Sequence, residues 1–275
     1  VRRTIRMNRF LRRGIFRPIL TVVLLCSATT VSLLATHLAY AHTIVSGPSL
    51  GTAGYFAVLG SSTVTNTGAT NLTGDLGVSP GTAVTGFPPG ISIGTIHGGD
   101  SIALQAQHDA SVAYTNTAGQ PCINNLTGQD LGGKTLTPGV YCFSSSAFLT
   151  GQLTLDGQGN PNSVFIFQMG STLITASNAR VVLINGAKGC NIFWQVGSSA
   201  TLGTYTSFAG NILALASITV TTGTTSNGSL YALNGAVTLD TNQVQACAEK
   251  VVTCSLPKNG ASALPALPAS YIGSN

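Results

Sequence analysis

The sequence predicts an all-β-dominated fold, a solenoid of stacked β-coils with one long α-helix packed alongside it. Three observations support this prediction. Threonine–aliphatic pairs recur through the second half of the chain at a near-constant interval, one segment carries the pattern of a helix, and glycine punctuates much of the remainder. Charged residues make up only 7% of the 275 residues, against about 25% in an ordinary soluble protein. The length suffices for one domain with its own core.

The first 41 residues are predicted to be a secretory signal peptide. Arginines between Arg2 and Arg17 precede an apolar run over residues 19–34, and Ala-Tyr-Ala at residues 39–41 supplies the small-residue pattern of a cleavage site. A retained transmembrane anchor is the alternative, but the run is short for a membrane span and contains Ser and Thr. We expect cleavage after Ala41 and a secreted, extracellular mature protein with no membrane association.

The positive charge of the chain resides in that leader. The formal charge is +5, with 12 basic and 7 acidic residues, and seven of the basic residues precede Ala41. The five basic and seven acidic residues that remain give 5 − 7 = −2. A nucleic-acid partner is therefore excluded, because neutralising phosphates requires a basic surface.

The solenoid domain is predicted to cover residues 42–250. Residues 52–73 are β-prone, whereas residues 74–90 are so dense in Gly and Pro that they predict a shaped loop or a cap over one end of the solenoid. The coils are predicted to run from about Leu136 to Val244, with Gly-Ser pairs at their corners. Residues 251–275 contain three prolines and are predicted to be a flexible C-terminal tail.

One helix is predicted over about residues 100–118. Asp100 is a favourable N-cap, and Gly119 ahead of a proline is a favourable stop. Between them a stripe of mostly small residues recurs at steps of four and three: Ile102, Ala106, Ala110 and Ala113. Small residues let a helix lie close to a flat sheet, so we expect this helix to cover one face of the solenoid.

The repeat that predicts the solenoid consists of threonines placed immediately before an aliphatic residue: Thr154, Thr172, Thr201, Thr219 and Thr238. The aliphatic residues that follow them are separated by 18, 29, 18 and 19 residues. Such a near-constant step is typical of stacked coils. Because neighbouring strand residues point to opposite faces, inward aliphatics predict an outward ladder of threonines. Such a ladder presents hydroxyl and methyl groups to a flat, ordered partner.

Further hydroxyl residues stand two and four positions past most of these aliphatics: Thr175, Thr204, Thr222 and Thr241, then Ser177, Thr206 and Thr224; the exceptions are Gly157, Gly159 and Gln243. The β propensity of threonine offers an alternative explanation for these columns. It does not explain why Lys, Glu and Arg are absent, since solvated strand faces normally carry them. An uncharged threonine face indicates a partner that charge would not help to bind.

Five cysteines follow the leader, and pairing is expected in an oxidising compartment. The local pairs are Cys122 with Cys142 and Cys247 with Cys254, which leaves Cys190 unpaired and buried. The sequence alone does not determine this connectivity. The Cys and His spacings form no zinc-binding pattern, so no metal or other cofactor is predicted.

No catalytic residues are predicted. Asp156 and Asp240 follow aliphatics of the same predicted column, but four coils at roughly 4.8 Å each place them about 19 Å apart. Paired glycosidase carboxylates lie about 5–9.5 Å apart. No nucleophile elbow, zinc-protease helix or phosphate-binding loop occurs in the chain.

Several segments are similar to a known family. They are residues 56–70, 73–81, 86–90, 138–141 and 193–203, in the order in which that family carries them. They resemble the microbial ice-binding proteins of the DUF3494 type, and the resemblance extends over about residues 48–245. It implies a discontinuous right-handed β-solenoid of triangular cross-section with a long helix alongside. It also implies adsorption to ice through one flat face, with thermal hysteresis and inhibition of ice recrystallisation.

Some members of that family carry T-[A/G]-x-[T/N] segments on the ice-binding face. Residues 67–70, 175–178 and 222–225 fit this form, whereas residues 204–207 depart from it, with Tyr205 at the small position. The predicted ice-binding residues are Thr67, Thr70, Thr154, Thr172, Thr175, Ser177, Asn178, Thr201, Thr204, Thr206, Thr219, Thr221, Thr222, Thr224, Thr225, Thr238 and Thr241.

The predicted partner is the surface of an ice crystal, bound by a monomer. An alternative is a secreted adhesin module that binds carbohydrate or another surface through the same scaffold. That alternative favours exposed aromatic residues, yet Trp194 is the only tryptophan and belongs to a strand predicted to face inward. A structural domain of the cell envelope is a third reading, and the tail after Pro257 shows no apolar anchor.

Overall fold

The computed structural model describes residues 45–248, in which most of the regular structure is β-strand. Within these residues, 24 short strands form three sheets, and the strand pairs are parallel. No helix of this part is long and apolar enough to cross a membrane. The predicted leader, the predicted tail and Cys254 lie outside the described residues.

The three sheets are the sides of the solenoid. Sheet A has the strand order β7 (Ile96–Gly98), β4 (Asp75–Val78), β1 (Phe56–Gly60), β22 (Leu230–Ala232), β19 (Asn211–Ala214), β16 (Ile192–Val196), β13 (Phe165–Met169), β10 (Gly139–Phe143) and β8 (Asn124–Asn125). Sheet B has the order β11 (Ala147–Leu149), β14 (Leu173–Thr175), β17 (Ala200–Leu202), β20 (Ile218–Val220), β23 (Val237–Asp240), β2 (Thr63–Thr67) and β5 (Ala83–Thr85). Sheet C has the order β6 (Ile91–Ser92), β3 (Asn71–Thr73), β24 (Gln243–Gln245), β21 (Thr225–Asn227), β18 (Ser207–Ala209), β15 (Arg180–Ile184), β12 (Gln152–Asp156) and β9 (Thr135–Leu136).

The solenoid is discontinuous in sequence. Strands β1 to β6 make two coils, one strand in each sheet per coil, and β7 ends sheet A. The chain then forms the helix and resumes with β8 at the opposite end of sheet A. Successive coils return until β22, β23 and β24 pair with β1, β2 and β3. The expected discontinuous β-solenoid with three sides is therefore confirmed.

Residues 74–90 were predicted to be a shaped loop or a cap without regular structure, and they differ from that prediction because they contain strands. They contain β4 and β5, and apart from Gly77 in β4 their glycines and prolines lie in the connections between the strands of a second coil. This coil does stand at one end of the solenoid, where β5 is the last strand of sheet B. The segment therefore closes the end by adding a coil.

An aromatic column fills the interior of the solenoid beneath sheet A. The rings of Phe167 and Trp194 are stacked with their centroids 4.0 Å apart, and Tyr141 stacks on the other side of Phe167 at 5.4 Å. Trp194 is fully buried, and its indole Nε1 donates a hydrogen bond of 3.0 Å to the Ala209 carbonyl. The prediction that Trp194 faces inward is confirmed, and burial of these large rings contributes strongly to the core.

Helix α1 spans Ser101–Ala118 and packs on the outer face of sheet A, as the sequence predicted. Its buried residues include Ala106, Ala110 and Ala113. Ile102 is 45% exposed, so its place in the predicted stripe was wrong; Ala103, one position on, occupies the buried side instead. At the other end of the helix, the Gln168 side chain of β13 donates hydrogen bonds of 2.8 Å to the carbonyls of Thr117 and Gln120.

The start of α1 is fixed by Asp100 and His97. The Asp100 carboxylate accepts hydrogen bonds from the backbone amides of Ile102 and Ala103, and His97 Nδ1 lies 2.7 Å from Asp100 Oδ2. The hydrogen bond from Ala103, followed by that with His97, lowers the pKa of Asp100 below its usual range. His97 belongs to β7, so this contact joins the helix to the terminal coil.

The disulfides correct part of the predicted pairing. Cys122 pairs with Cys142, as predicted, with their Cα atoms 5.9 Å apart. Cys247 pairs with Cys190, with a Cα–Cα distance of 5.3 Å, so the prediction of a Cys247–Cys254 pair and a free Cys190 was wrong. Residues 185–191, between β15 and β16, form an excursion that carries Cys190 to the end of the last coil. Proximity in sequence was a poor guide because coils stack non-local residues.

Replacing Asp100 with Ala should lower the free energy of unfolding by about 0.5–2 kcal/mol at neutral pH, because two amides of the first turn lose their acceptor. Asn caps helices well, so Asp100→Asn should keep most of this stability. Since folding lowers the pKa of Asp100, its contribution is full at neutral pH and declines as the pH falls below about 4. Urea unfolding of the three proteins at pH 7 and pH 3 measures this. Equal stability of Asp100→Ala and wild type at pH 7 would contradict the capping role.

Candidate functional site

Two of the three solenoid faces are open in the described residues. The outer face of sheet A is covered in part by α1, which packs on Phe56, Leu59, Leu213 and Tyr231. Val45 and Leu50, in the segment before β1, pack with a second apolar cluster on this face, formed by Val140, Ile166 and Phe193. A broad surface partner must therefore use the outer face of sheet B or of sheet C.

The central outward column of sheet B contains five threonines in register, followed by two apolar residues. Read along the solenoid axis, these are Thr85, Thr65, Thr238, Thr219, Thr201, Ile174 and Phe148. Thr201, Thr219 and Thr238 each lie between two buried apolar residues of their own strand, as the alternation of a strand requires, and Thr65 and Thr85 each follow a valine. At roughly 4.8 Å per strand, the column is about 29 Å long.

The outward column beside it, toward sheet A, consists of small side chains: Ser146, Thr172, Ser199, Ser217, Ala236, Thr63 and Ala83. Thr172 Oγ1 donates to Ser146 Oγ at 2.7 Å, and the Ser217 hydroxyl accepts the Ala236 amide at 3.2 Å. These contacts satisfy hydroxyls within the face. Because no side chain here is larger than threonine, the surface beside the central column is even.

The edge between sheets B and C carries a third row, which we call the edge row: Ser177, Thr204, Thr222, Asp240 and Thr67. Ser177 Oγ and Thr204 Oγ1 are 2.7 Å apart, and the Thr222 hydroxyl donates to Asp240. Four of its members belong to the predicted set, and Asp240 does not. The edge row stands beside the threonine column and extends the polar surface toward sheet C.

Each corner behind the edge row contains a residue with positive φ. Gly223 has φ 72°. A Cβ at this position would lie only 2.5 Å from the ring atoms Cδ1 and Cε1 of Tyr205, so the ring leaves no room for a side chain here. Tyr205 is 63% exposed, yet it lies at the corner and outside the central column. Thr241 and Asn178 occupy the equivalent exposed corner positions, with φ of 51° and 60°. The bulky tyrosine therefore leaves the five-threonine column uninterrupted.

Four residues of the predicted set are buried and do not reach any surface partner: Thr70, Thr175, Thr206 and Thr224. They line the inside of the B–C corners, and their predicted exposure was wrong. Thr175 Oγ1 accepts the Gly203 amide at 2.8 Å, and Thr224 Oγ1 donates to the Gly203 carbonyl at 2.9 Å. The corners leave backbone groups without strand partners, and these hydroxyls bind them.

Thr154 and Thr225 lie on sheet C, in β12 and β21, so they do not join the threonine column of sheet B. The outer face of sheet C contains a depression of about 420 Å³ lined by Asn71, Asn227, Gln243 and Gln245 among others. Long amide side chains around a depression do not make a flat surface. Sheet C is consequently a poorer platform for a planar partner than sheet B.

The register of the predicted ladder was partly wrong. Thr201, Thr219 and Thr238 do align, but Ile174 stands beside Thr201 in place of Thr172, which is two residues earlier. The true steps are 27 residues from Ile174 to Thr201 and 18 from Thr201 to Thr219. The extra residues of the longer coil lie between β15 and β16. Thr221 borders the column, with its hydroxyl on the Leu202 carbonyl at 2.7 Å.

Sequence reasoning missed Thr65 and Thr85, which complete the column. The alternation from Thr63 to Thr67 signals a strand with outward threonines, but its partner β23 lies more than 170 residues later. Thr65 Oγ1 is 3.5 Å from Thr238 Oγ1, where β2 pairs with β23.

The predicted alignment of Asp156 with Asp240 was also wrong, because Asp156 ends β12 on sheet C and Asp240 ends β23 on sheet B.

The electrostatics of this surface are those of neutral hydroxyl and methyl groups. Among the outward side chains of sheet B and the edge row, Asp240 alone belongs to Asp, Glu, Lys, Arg or His. Within residues 45–248, no cluster of His, Cys, Asp or Glu is placed to hold a metal ion. Chemically, the surface can donate and accept hydrogen bonds and present methyl groups at a regular interval.

Comparison with known proteins gives a consistent result. The family described as Ice-binding-like matches residues 58–245, well over half of the chain. A protein of Nostoc sp. (strain HG1) named "Ice-binding protein" is 60% identical over 203 residues, which are 73% of this chain and 75% of that protein.

Solved structures are also similar. The ice-binding protein of the Antarctic ascomycete Antarctomyces psychrotrophicus superposes with a TM-score of 0.72 at 44% identity, covering 74% of this chain and all of that one. The DUF3494 domain of the Shewanella frigidimarina ice-binding protein superposes with a TM-score of 0.69 at 33% identity, covering 74% and 99%.

Replacing Thr224 with Val should lower the free energy of unfolding by about 1–3 kcal/mol, because the Gly203 carbonyl loses its buried partner. Thr225→Val is the matched control, since the adjacent threonine is exposed on sheet C and should tolerate the change. Thermal or urea unfolding of both variants measures the difference. Equal stability of the two variants would show that the inward hydroxyls do not support the corners.

Proposed function

Because this chain belongs to the Ice-binding-like family, we propose that it binds ice crystals through the outer face of sheet B. The observation that carries the proposal is the in-register column of five threonines on an open face whose outward side chains are mostly small and neutral. The contact surface comprises this column, the small-residue column beside it and the edge row. The remaining predicted residues act in the corners or lie on sheet C.

The spacing of the coils accounts for recognition of a crystal. Strands about 4.7–4.9 Å apart repeat each hydroxyl and methyl at that interval along the solenoid axis, which is near the spacing of water positions in an ice plane. A partner with the same periodicity can contact the threonine of every strand at once. A small, isolated ligand would contact only one or two of these threonines.

Rigidity makes the arrangement effective. Threonine is stiff about χ1 because it is branched at Cβ, and its backbone is held by parallel pairing on both sides through most of the column. The corners are fixed by buried hydroxyls. The hydroxyl oxygens of Thr206 and Thr175, for example, are hydrogen-bonded at 2.9 Å. Little conformational entropy is then lost when water orders against the face.

The two kinds of group on threonine have separate effects on water. Hydroxyls anchor individual waters by hydrogen bonds, while methyls favour a cage of water around them. Ile174 and Phe148, 37% and 46% exposed, add further apolar surface at one end of the column. The ordered layer then merges with the crystal lattice. Bound molecules pin the growth front into curved segments that grow less readily, which produces thermal hysteresis and inhibits recrystallisation.

We propose further that the protein acts outside the cell as a monomer and has no catalytic activity. The signal-like leader over residues 1–41 supports export. The relatives described above are named as ice-binding proteins, which gives no support to the carbohydrate-binding adhesin considered from the sequence. Phe148 is the one aromatic side chain in the central outward column of sheet B, and a single ring at the end of the column offers little surface for stacking on sugars.

Replacing Thr219 with Lys should abolish inhibition of ice recrystallisation and reduce thermal hysteresis several-fold. A long, strongly hydrated cation in the middle of the column would hold water in an arrangement unlike ice and would prevent close contact. Recrystallisation assays in sucrose solution and nanolitre osmometry measure the two activities.

The matched control is Thr225→Lys, which places the same side chain on an exposed strand position of sheet C and should keep full activity. Circular dichroism near 0 °C establishes that both variants are folded. If Thr225→Lys lost activity and Thr219→Lys kept it, sheet C would be the ice-binding face and the assignment to sheet B would be wrong. Inactivity of the wild type toward ice would refute the proposed function itself.

A further inference from the structure

The edge row contains one carboxylate in an otherwise neutral surface. Asp240 is half-buried at the end of β23, between Thr222 of the neighbouring coil on one side and Thr67 on the other. Among residues 45–248 it forms no ion pair with a Lys, Arg or His side chain. A partly buried carboxylate without a cationic partner is unfavourable unless other groups solvate it. The hydrogen-bond donors around Asp240 therefore indicate its role.

Both oxygens of this carboxylate accept hydrogen bonds from threonine hydroxyls. The Thr222 hydroxyl donates to Oδ2, and the Thr241 hydroxyl donates to Oδ1 at 3.0 Å. The backbone amide of Asp240 donates separately to Asn242 Oδ1 at 2.6 Å, which fixes the strand end. The Asp240 side chain therefore accepts hydrogen bonds from two threonine hydroxyls at the rim of the sheet B face.

Glycine makes room for one of these contacts. Gly68, which follows Thr67, has φ 80°, and a Cβ there would collide with Thr241 Oγ1. Thr241 itself has φ 51°, a conformation that is costly for a β-branched residue. The corner thus holds Thr241 in a strained backbone conformation that brings its hydroxyl to Asp240.

A hydroxyl has one proton to donate and two lone pairs that accept. When the proton is committed to a carboxylate, the hydroxyl can no longer rotate freely, and its lone pairs face solvent in a fixed direction. We propose that Asp240 is a positioning residue that orients the hydroxyls of Thr222 and Thr241 as fixed acceptors for the water of the ice-like layer. This inference rests on the proposed ice-binding function and adds a specific polarity to one edge of the face.

Three variants test it: Asp240→Ala, Asp240→Asn and Thr222→Val. Asp240→Ala should weaken recrystallisation inhibition several-fold because both hydroxyls become free to rotate. Asp240→Asn should retain an intermediate activity, since its carbonyl oxygen still accepts one hydroxyl while its amide group makes the other hydroxyl an acceptor. Each protein is assayed near 0 °C after circular dichroism has established that it is folded.

A double-mutant comparison separates positioning from a structural effect. If Asp240 acts through Thr222, Thr222→Val should reduce the activity of the wild type more than that of Asp240→Ala. Equal losses in both backgrounds, or full activity of Asp240→Ala, would overturn the inference while leaving the proposed function intact. A wild type that is inactive on ice would instead refute the proposed function, so the two failures are distinguishable.

Discussion

The structure depends on the parallel pairing of its first coil with its last. Strands β1, β2 and β3 pair with β22, β23 and β24, which joins segments more than 170 residues apart in sequence. This joint turns two stacks of coils into one and places Thr65 beside Thr238. Without it the threonine column would stop at Thr238, and six strands would each lose their hydrogen-bonding partner at one edge.

The same residue type performs two tasks, and alternation along the strand decides which. Outward threonines such as Thr219 are free to meet a partner, because the residues on either side of them fill the core. Inward threonines at the corners, such as Thr224, bind backbone carbonyls that no strand can reach. The inward set keeps the corners stiff, and stiff corners keep the outward set in register. The buried hydrogen bonds at the corners therefore support the register of the outward threonines.

Local features were predictable from the sequence, whereas the register was not. Asp100 and Gly119 define the helix because capping depends on neighbouring residues, and burial of Trp194 follows from its apolar strand. Thr172 was placed two residues out of line, because coil length depends on corner excursions that periodicity does not reveal. Thr65 and Thr85 were missed for a related reason, since their partner strand is remote. The Cys190–Cys247 pair could not be found by proximity either.

The central claim is that this protein adsorbs to ice through sheet B, and direct imaging tests it. The described lysines are Lys134, next to β9 of sheet C, and Lys188, between β15 and β16, so a dye attached to either of these two side chains leaves the outer face of sheet B open. A single ice crystal grown in labelled protein is then exchanged into protein-free solution. We predict faceted growth and persistent fluorescence on the crystal surface. Dye that washes away completely, with growth of an unfaceted disc, would contradict the account.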